Sequence, residues 1–345
     1  MAGEWEPETN LREIRNETLA RLLSAPGRCA VYGTGAAAAG VLGKLSRIGL
    51  KPHALLDADR TGELHGLEIL APEAALGGLD LVITASPFAR DATARLRADG
   101  FEGAVIDLGS ADRFRHHYDD TRIEAEAEAI AFARSLLMDD GSRHVFDSVL
   151  AHRRSLDPGE LPPESPRGAN AVGRDGERVL DVGGRDEEAV LETAQALGPH
   201  GHLHVFETDR GVRIALRDAL AGSALGGRVT VHALEDGAGD PQKIALDDED
   251  APVSRTLDEF VRDSAAGRVD RIRLAAGPGQ QAALDGAAAV IAERRPALVV
   301  ALAHRPDDLW QLPIRIKEQV PAYRLHLAHH TQSLDGTVCY ATPPG

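Results

Sequence analysis

Twice in this chain of 345 residues a short apolar run stops at a glycine turn that opens a helix, and each time the next apolar run closes on an acid. The first instance is Cys29-Ala30-Val31-Tyr32, then Gly33-Thr34-Gly35 and an Ala/Leu-rich helix over 36–48, with His53 to Leu56 ending at Asp57. The second is Val179-Leu180-Asp181-Val182, then Gly183-Gly184 and a helix from Glu187, with Leu203 to Phe206 ending at Glu207-Thr208-Asp209. A strand that turns tightly into a helix and then into another strand is a βαβ unit, with parallel strands and a right-handed crossover. The fold class predicted is α/β, as two tandem Rossmann-like doubly wound domains.

The remaining patterning extends both units. Leu81 to Ile83 and Ala104 to Ile106 supply further strands of the first, separated by a helix over 91–98. Val229 to His232, Ile272 to Leu274 and Ala297 to Val300 do so for the second, and Tyr323 to Leu327 with Thr337 to Ala341 read as an antiparallel hairpin that ends the sheet. Domains of ordinary size take roughly 100–200 residues, which fits two. The boundaries read are 1–27 for an N-terminal helix stopped by Pro26-Gly27, 28–110 for a small Rossmann-like domain, 111–177 for a helical bridge and a Pro-rich linker, and 178–345 for the second α/β domain.

Charge and composition exclude several classes. A net charge of −16 with no local Lys/Arg cluster repels phosphate backbones, so nucleic acid is not an expected partner. The Asp247-Asp248-Glu249-Asp250 run reads as a solvated loop. No apolar run approaches the ~20 residues that span a bilayer, and the acidic first ten residues do not form a signal peptide. Cys29 and Cys339 each fall inside a strand and read as buried thiols of a reducing compartment, so the expected location is cytoplasmic. No Cys/His spacing fits zinc, and no metal is expected.

The two turns carry the candidate chemistry. Gly33, Gly35 and Asp57 form a potential nucleotide or NAD site: backbone N–H groups at a helix start meet a phosphate, and the acid meets a ribose hydroxyl. The bland reading of the same residues is a packing turn in a structural or partner-docking domain. Gly183, Gly184, Glu207 and Asp209 are the parts that an adenosyl cofactor requires, although this spacing also serves NAD. His304, just beyond the Ala297–Val300 strand, is the candidate general base, with a capping role as the competing reading. His200, His202 and His204 alternate along one strand face and read as surface or interface residues, and at most one of His329 and His330 can face a site.

Here the sequence resembles the FkbM-type methyltransferases, S-adenosylmethionine-dependent enzymes that mostly O-methylate sugars and secondary metabolites. The resemblance spans about Asp139 to Ala341. Its carriers include Leu180-Asp181-Val182-Gly183, Val205-Phe206-Glu207-Thr208-Asp209, Arg255-Thr256-Leu257-Asp258-Glu259-Phe260, Val269-Asp270-Arg271-Ile272-Arg273-Leu274 and His304-Arg305-Pro306-Asp307-Asp308-Leu309-Trp310. The preceding Tyr32-Gly33-Thr34-Gly35 domain is similar to that of the family's long form. The resemblance implies that residues 178–345 are a methyltransferase-like domain, that S-adenosylmethionine is the cofactor, and that Asp181, Gly183 and Glu207 contact it, with Gly184 and Asp209 beside them.

Three departures stand against catalysis. Glu187-Glu188-Ala189 replaces the family's Gly-Asp-Thr, Ala275-Ala276-Gly277-Pro278-Gly279-Gln280 replaces an Asp-x-Glu-Gly-x-Glu stretch, and Gly336 stands where a Glu is common. If those acids serve as base or orient an acceptor hydroxyl, their loss leaves methyl transfer to positioning alone. The function expected is a methyltransferase acting on a small-molecule substrate, most simply by O-methylation. The alternatives are a catalytically silent relative that scaffolds or regulates a partner enzyme, and a nucleotide-dependent oxidoreductase using the first turn; a homodimer or a partner enzyme is the protein partner considered.

Overall fold

The computed structural model describes residues 28–47, 49–107, 120–184, 186–234, 244–246, 253–263, 267–305 and 307–344. The helix expected within 1–27 and the acidic run at 247–250 lie outside the described residues. The chain divides into two compact units. One comprises Met1–Ala131, Gly141–Ser165 and His329–Thr337, and the other Phe132–Asp140, Pro166–Ala328 and Val338–Gly345. The division thus cuts through the stretch 111–177.

The first unit holds β1 (Cys29–Tyr32), β2 (Ala54–Leu56), β3 (Gly62–Leu64), β4 (Leu67–Leu70), β5 (Leu81–Thr84) and β6 (Ala104–Asp107), in the order β3-β4-β2-β1-β5-β6. All pairings are parallel except β3 with β4. Its central strands β1, β2 and β5 are short and mostly apolar because both faces are covered. Val31, Leu55 and Ile83 pack with Val41 and Leu45 of the helix Ala36–Arg47 on one face. Ala30, Leu56, Val82 and Val105 pack on the other with Leu96 of the helix Ala89–Ala98. The β3–β4 hairpin was not foreseen. Its turn residues His65 and Gly66 have φ of 54° and 74°, the left-handed pair of a type I′ turn, but His-Gly is a weaker signal than Asn-Gly.

The second unit holds β7 (Arg178–Val182), β8 (His202–Glu207), β9 (Val229–Ala233), a separate antiparallel pair β10 (Ile244–Leu246) and β11 (Val253–Arg255), then β12 (Arg271–Leu274), β13 (Ala297–Ala301), and all but the last residue of β14 (Arg324–His329) and the first of β15 (Thr337–Thr342). The main sheet runs β14-β15-β13-β12-β7-β8-β9. From β13 to β9 its pairings are parallel, and β15 runs antiparallel to β13. Both sheets are thus dominated by parallel pairing in a mixed α/β chain. Leu203 and Val205 of β8 join Val190 and Ala194 of the helix Glu187–Ala196 and Leu216 of the helix Arg210–Leu220 in one core layer.

The opposite face of β8 corrects the reading of its histidines. His200 is exposed, but His202 and His204 enter a half-buried ladder of rings with His232 and Phe206, and Phe260 closes it edge-on. His204 Nδ1 lies 3.1 Å from His232 Nε2, and His202 Nε2 lies 2.9 Å from Thr230 Oγ1. The alternation that suggested a solvent face is real; the helix Leu257–Asp263, which brings Phe260 over it, covers it instead.

Burial pushes His152, whose Nδ1 donates to Asp157 O at 2.8 Å, down to about 4. Burial, aided by His202 and His232, pushes His204 down to about 3. An unfolded chain takes up protons on these groups below about 6.5 and the folded chain does not, so their contribution is complete above that pH and is lost as pH falls toward 4. Thermal melts between about pH 7.5 and about pH 4.5 should show the midpoint dropping once pH passes below about 6.5. His204→Phe should make that drop shallower; an equal drop would show that His204 is not one of the groups responsible.

Candidate functional site

The order β13-β12-β7-β8-β9 makes the C-terminal ends of β12 and β7 the point at which successive crossovers diverge, where open α/β sheets bind ligands. The backbone there is held very close. Gly183 leaves β7 with φ of 85° and donates its N–H to Phe206 O at 2.7 Å. A Cβ on Gly183 would collide with the carbonyl of Ala275, just after β12. One on Gly184 would lie 2.9 Å from Asp181 Oδ2 and 3.0 Å from Val205 Cγ1. Gly183 is therefore required by packing, whatever it binds, whereas a side chain at 184 would need Asp181 and Val205 to shift.

The three predicted acids have different fates. Asp181, 2 % exposed, faces Arg273 across the β7–β12 pairing, with Nη1 to Oδ2 at 3.5 Å. Arg273 also donates to Thr193 Oγ1 at 2.6 Å, tying both strands to the helix Glu187–Ala196. Burial raises the Asp181 carboxyl above its usual range, Arg273 opposes that, and Glu207 adds to it. Glu207, 1 % exposed, ends β8 beside the Gly183 turn, and its Oε1 accepts from Asp209 N at 2.8 Å and Thr208 Oγ1 at 3.1 Å. Asp209 caps the helix Arg210–Leu220, its Oδ1 accepting from Gly211 N and Val212 N at 2.7 and 3.1 Å. The structure thus places Gly183, Gly184, Asp181, Glu207 and Asp209 together, with Asp181 in an ion pair and Asp209 in a cap.

Sequence reasoning passed over two groups. Asp186 caps the helix Glu187–Ala196, accepting from Glu188 N and Ala189 N, while Glu187 itself is exposed. Gln280 follows the single turn Gly277–Gly279 and is 0 % exposed. Its Nε2 donates to Ala301 O at the end of β13, and its Oε1 has no hydrogen-bond partner among the described residues. The substitution pattern that singled out the 275–280 loop was the only signal, and it pointed to missing acids rather than to a buried amide.

His304 lies beyond β13, two strands from β7. Its backbone N–H and that of Arg305 donate to Asp308 Oδ2 at 3.0 and 2.7 Å, so the segment is shaped as a turn into the helix Asp308–Gln319. His329 and His330 are both held within the first unit. His329 Nδ1 lies 3.0 Å from Thr337 Oγ1, and His330 Nδ1 donates to Ser165 O at 2.7 Å. Burial, with His152 next in effect, pushes His329 down to about 4, so it is a neutral buried group at neutral pH.

At the turn after β1, Gly33 has φ of 111°, and a Cβ there would lie 2.9 Å from Ala85 O. Gly35 opens the next helix in free space. Asp57 is already engaged: Oδ2 accepts from Thr34 Oγ1 at 2.5 Å and Oδ1 from Asp59 N at 2.9 Å. Burial works to raise its carboxyl, but the Thr34 and Asp59 bonds and the Arg60 charge outweigh it and hold it below the usual range. The acid that a ribose would need therefore closes its own loop. No metal-binding cluster of three or more His, Cys, Asp or Glu occurs among the described residues, and none of their helices is long and apolar enough to cross a membrane.

With this geometry the chain can be compared with known proteins. No protein-family model matches the sequence, and no curated protein does. Among solved structures, a methyltransferase FkbM from Methylobacillus flagellatus KT superposes with a TM-score of 0.69 at 21 % identity, over 96 % of this chain and 95 % of that one. The two chains share one fold. The resemblance read from the sequence holds at that level, across both units. Partial likenesses include the O-methyltransferase TomG from Streptomyces achromogenes, solved with S-adenosylmethionine, at 17 % identity, TM-score 0.35, and 63 % and 96 % coverage. A fibrillarin from Aeropyrum pernix with S-adenosyl-L-methionine gives 13 %, 0.35, and 49 % and 67 %.

Gly183→Ala isolates the role of the turn. A left-handed φ costs a non-glycine residue about 1–2 kcal/mol, and the collision with Ala275 adds to it. Urea denaturation should show a loss of at least about 2 kcal/mol, because backbone rather than a movable side chain blocks the methyl. A loss well under 1 kcal/mol would mean that the β7 and β12 loops separate readily.

Proposed function

We propose that the second unit, read as a Rossmann-like doubly wound domain, is an S-adenosylmethionine-dependent methyltransferase acting on the hydroxyl of a small molecule. The observation that carries this reading is the juxtaposition of the bare Gly183 turn with the carboxylate of Glu207 on adjacent strand ends, in a chain that shares its fold with a methyltransferase. The residues fit the cofactor. A turn without side chains admits close backbone approach at one end, and a carboxylate oriented by Thr208 and Asp209 presents acceptors to ribose at the other. Because Glu207 is nearly fully covered, cofactor entry is coupled to movement of the groups over it.

S-adenosylmethionine supplies a methyl group on a sulfonium centre. This chain's residues must hold the acceptor in line with that group and take the hydroxyl proton. The loop 275–280 offers no acid for the proton, and the Gln280 amide is neutral at all relevant pH. His304, at the end of the neighbouring β13, is the imidazole on this edge assigned to that task. The same acid-free loop supports a second reading, a catalytically silent chain that binds the cofactor without turning it over.

Calorimetric titration with S-adenosylmethionine should give one saturable site, and Glu207→Gln should weaken it by roughly tenfold or more, the worth of a charged hydrogen bond to ribose. Unchanged affinity in that variant would remove Glu207 from the ribose, and no binding to the unaltered chain would overturn the proposal. Turnover with a panel of hydroxylated acceptors then separates the enzyme from the silent reading, and His304→Ala should lower turnover without changing cofactor affinity.

A further inference from the structure

A continuous trough runs along the N-terminal edge of the first sheet, where β1, β2 and β4 begin, at the opposite strand ends from Gly33 and Asp57. It has two compartments of about 450 and 700 Å³ that share Lys51, Pro52, Gly66 and Leu67. The smaller adds Arg28, His53 and Glu68. The larger runs under one face of the helix Ala36–Arg47, past Ala39, Leu42, Gly43 and Ser46, to Leu50. Arg28 and Lys51 stand at the smaller compartment, and the larger, with Ser46 and His65 among its lining, presents hydrocarbon from Ala39, Leu42, Leu50, Pro52 and Leu67.

Among the described residues, no acid pairs with the cations at the polar end. The Arg28 guanidinium donates through Nη2 to His53 Nε2 at 2.6 Å, while Asp80 accepts only the Arg28 backbone N–H. Neither Arg28 nor Lys51 forms an ion pair with a described residue, although the chain carries 54 acids to 38 Lys and Arg. The one acid of the trough, Glu68, sits opposite Glu63 across the β3–β4 pairing. At the apolar end, positions 43, 49 and 66 are glycines whose missing Cβ atoms would meet nothing within 4 Å, so the floor is open.

From this arrangement we propose that the trough binds an organic monocarboxylate with a hydrocarbon chain, the carboxylate between Arg28 and Lys51 and the chain along Leu42, Pro52 and Leu67. A bidentate or charge-assisted contact at one end and apolar burial at the other is the usual division of a small-molecule site. A ligand of about ten heavy atoms in an open trough reaches roughly millimolar affinity. The inference is independent of methyl transfer, since it concerns the other unit.

Sodium octanoate titrated into the full chain by calorimetry or NMR is the test, with acetate and octan-1-ol as controls. Saturable octanoate binding is expected, with both controls at least tenfold weaker. Lys51→Glu should weaken octanoate at least tenfold and Glu68→Gln should tighten it, neither altering the thermal midpoint because both side chains are exposed. Gly43→Leu should fill the apolar compartment and weaken octanoate while holding or raising the midpoint, since leucine favours the helix. No saturable octanoate binding, octanol binding as tightly as octanoate, or indifference to both Lys51→Glu and Gly43→Leu would each overturn the proposal.

Discussion

The architecture of the second unit depends on one close approach: the backbone of Gly183 against the backbone of Ala275 at the ends of β7 and β12. No side chain can stand between them. The approach closes the sheet at its switch point, lets Gly183 bond to Phe206 O and so sets the turn beside Glu207. At Gly184, one residue on, the close atoms are the side chains of Asp181 and Val205. A bare-backbone turn is the shape an adenosyl ligand needs, yet here the fold needs it first.

The same economy governs the acids. Asp181 is spent on Arg273, whose other contact, Thr193, pins the covering helix, so the pair fastens two strands and a helix at a buried point. A buried pair of this kind is costly to break, because either partner alone would be an uncompensated charge. Asp186 and Asp209 cap successive helices and Asp57 closes its own loop. Among the acids at these strand ends, Glu207 is oriented as an acceptor by Thr208 and the Asp209 backbone.

Most of the parallel strands were legible because each is a short, largely apolar run between turn residues, the composition that burial on both faces favours. The β3–β4 hairpin was not, since His65-Gly66 adopts the left-handed turn without the usual residues. The histidines of β8 show the limit of periodicity. Alternation assigns His202, His204 and Phe206 to one face, but only the arrival of Phe260 from a helix more than fifty residues on decides whether that face is wet.

By itself the sequence determined the mixed α/β class with mainly parallel strands, the two glycine turns and the acid after each, since these follow from local sterics and from the period of apolar residues. Tertiary structure alone decided which acids are caps and which is an ion pair, and it alone revealed Gln280 and the trough beside Lys51. The physical reason is that a carboxylate's role depends on which donors and cations come within about 4 Å of its oxygens. Those neighbours, such as Arg273 beside Asp181, arrive from strands up to ninety or so positions away in the chain.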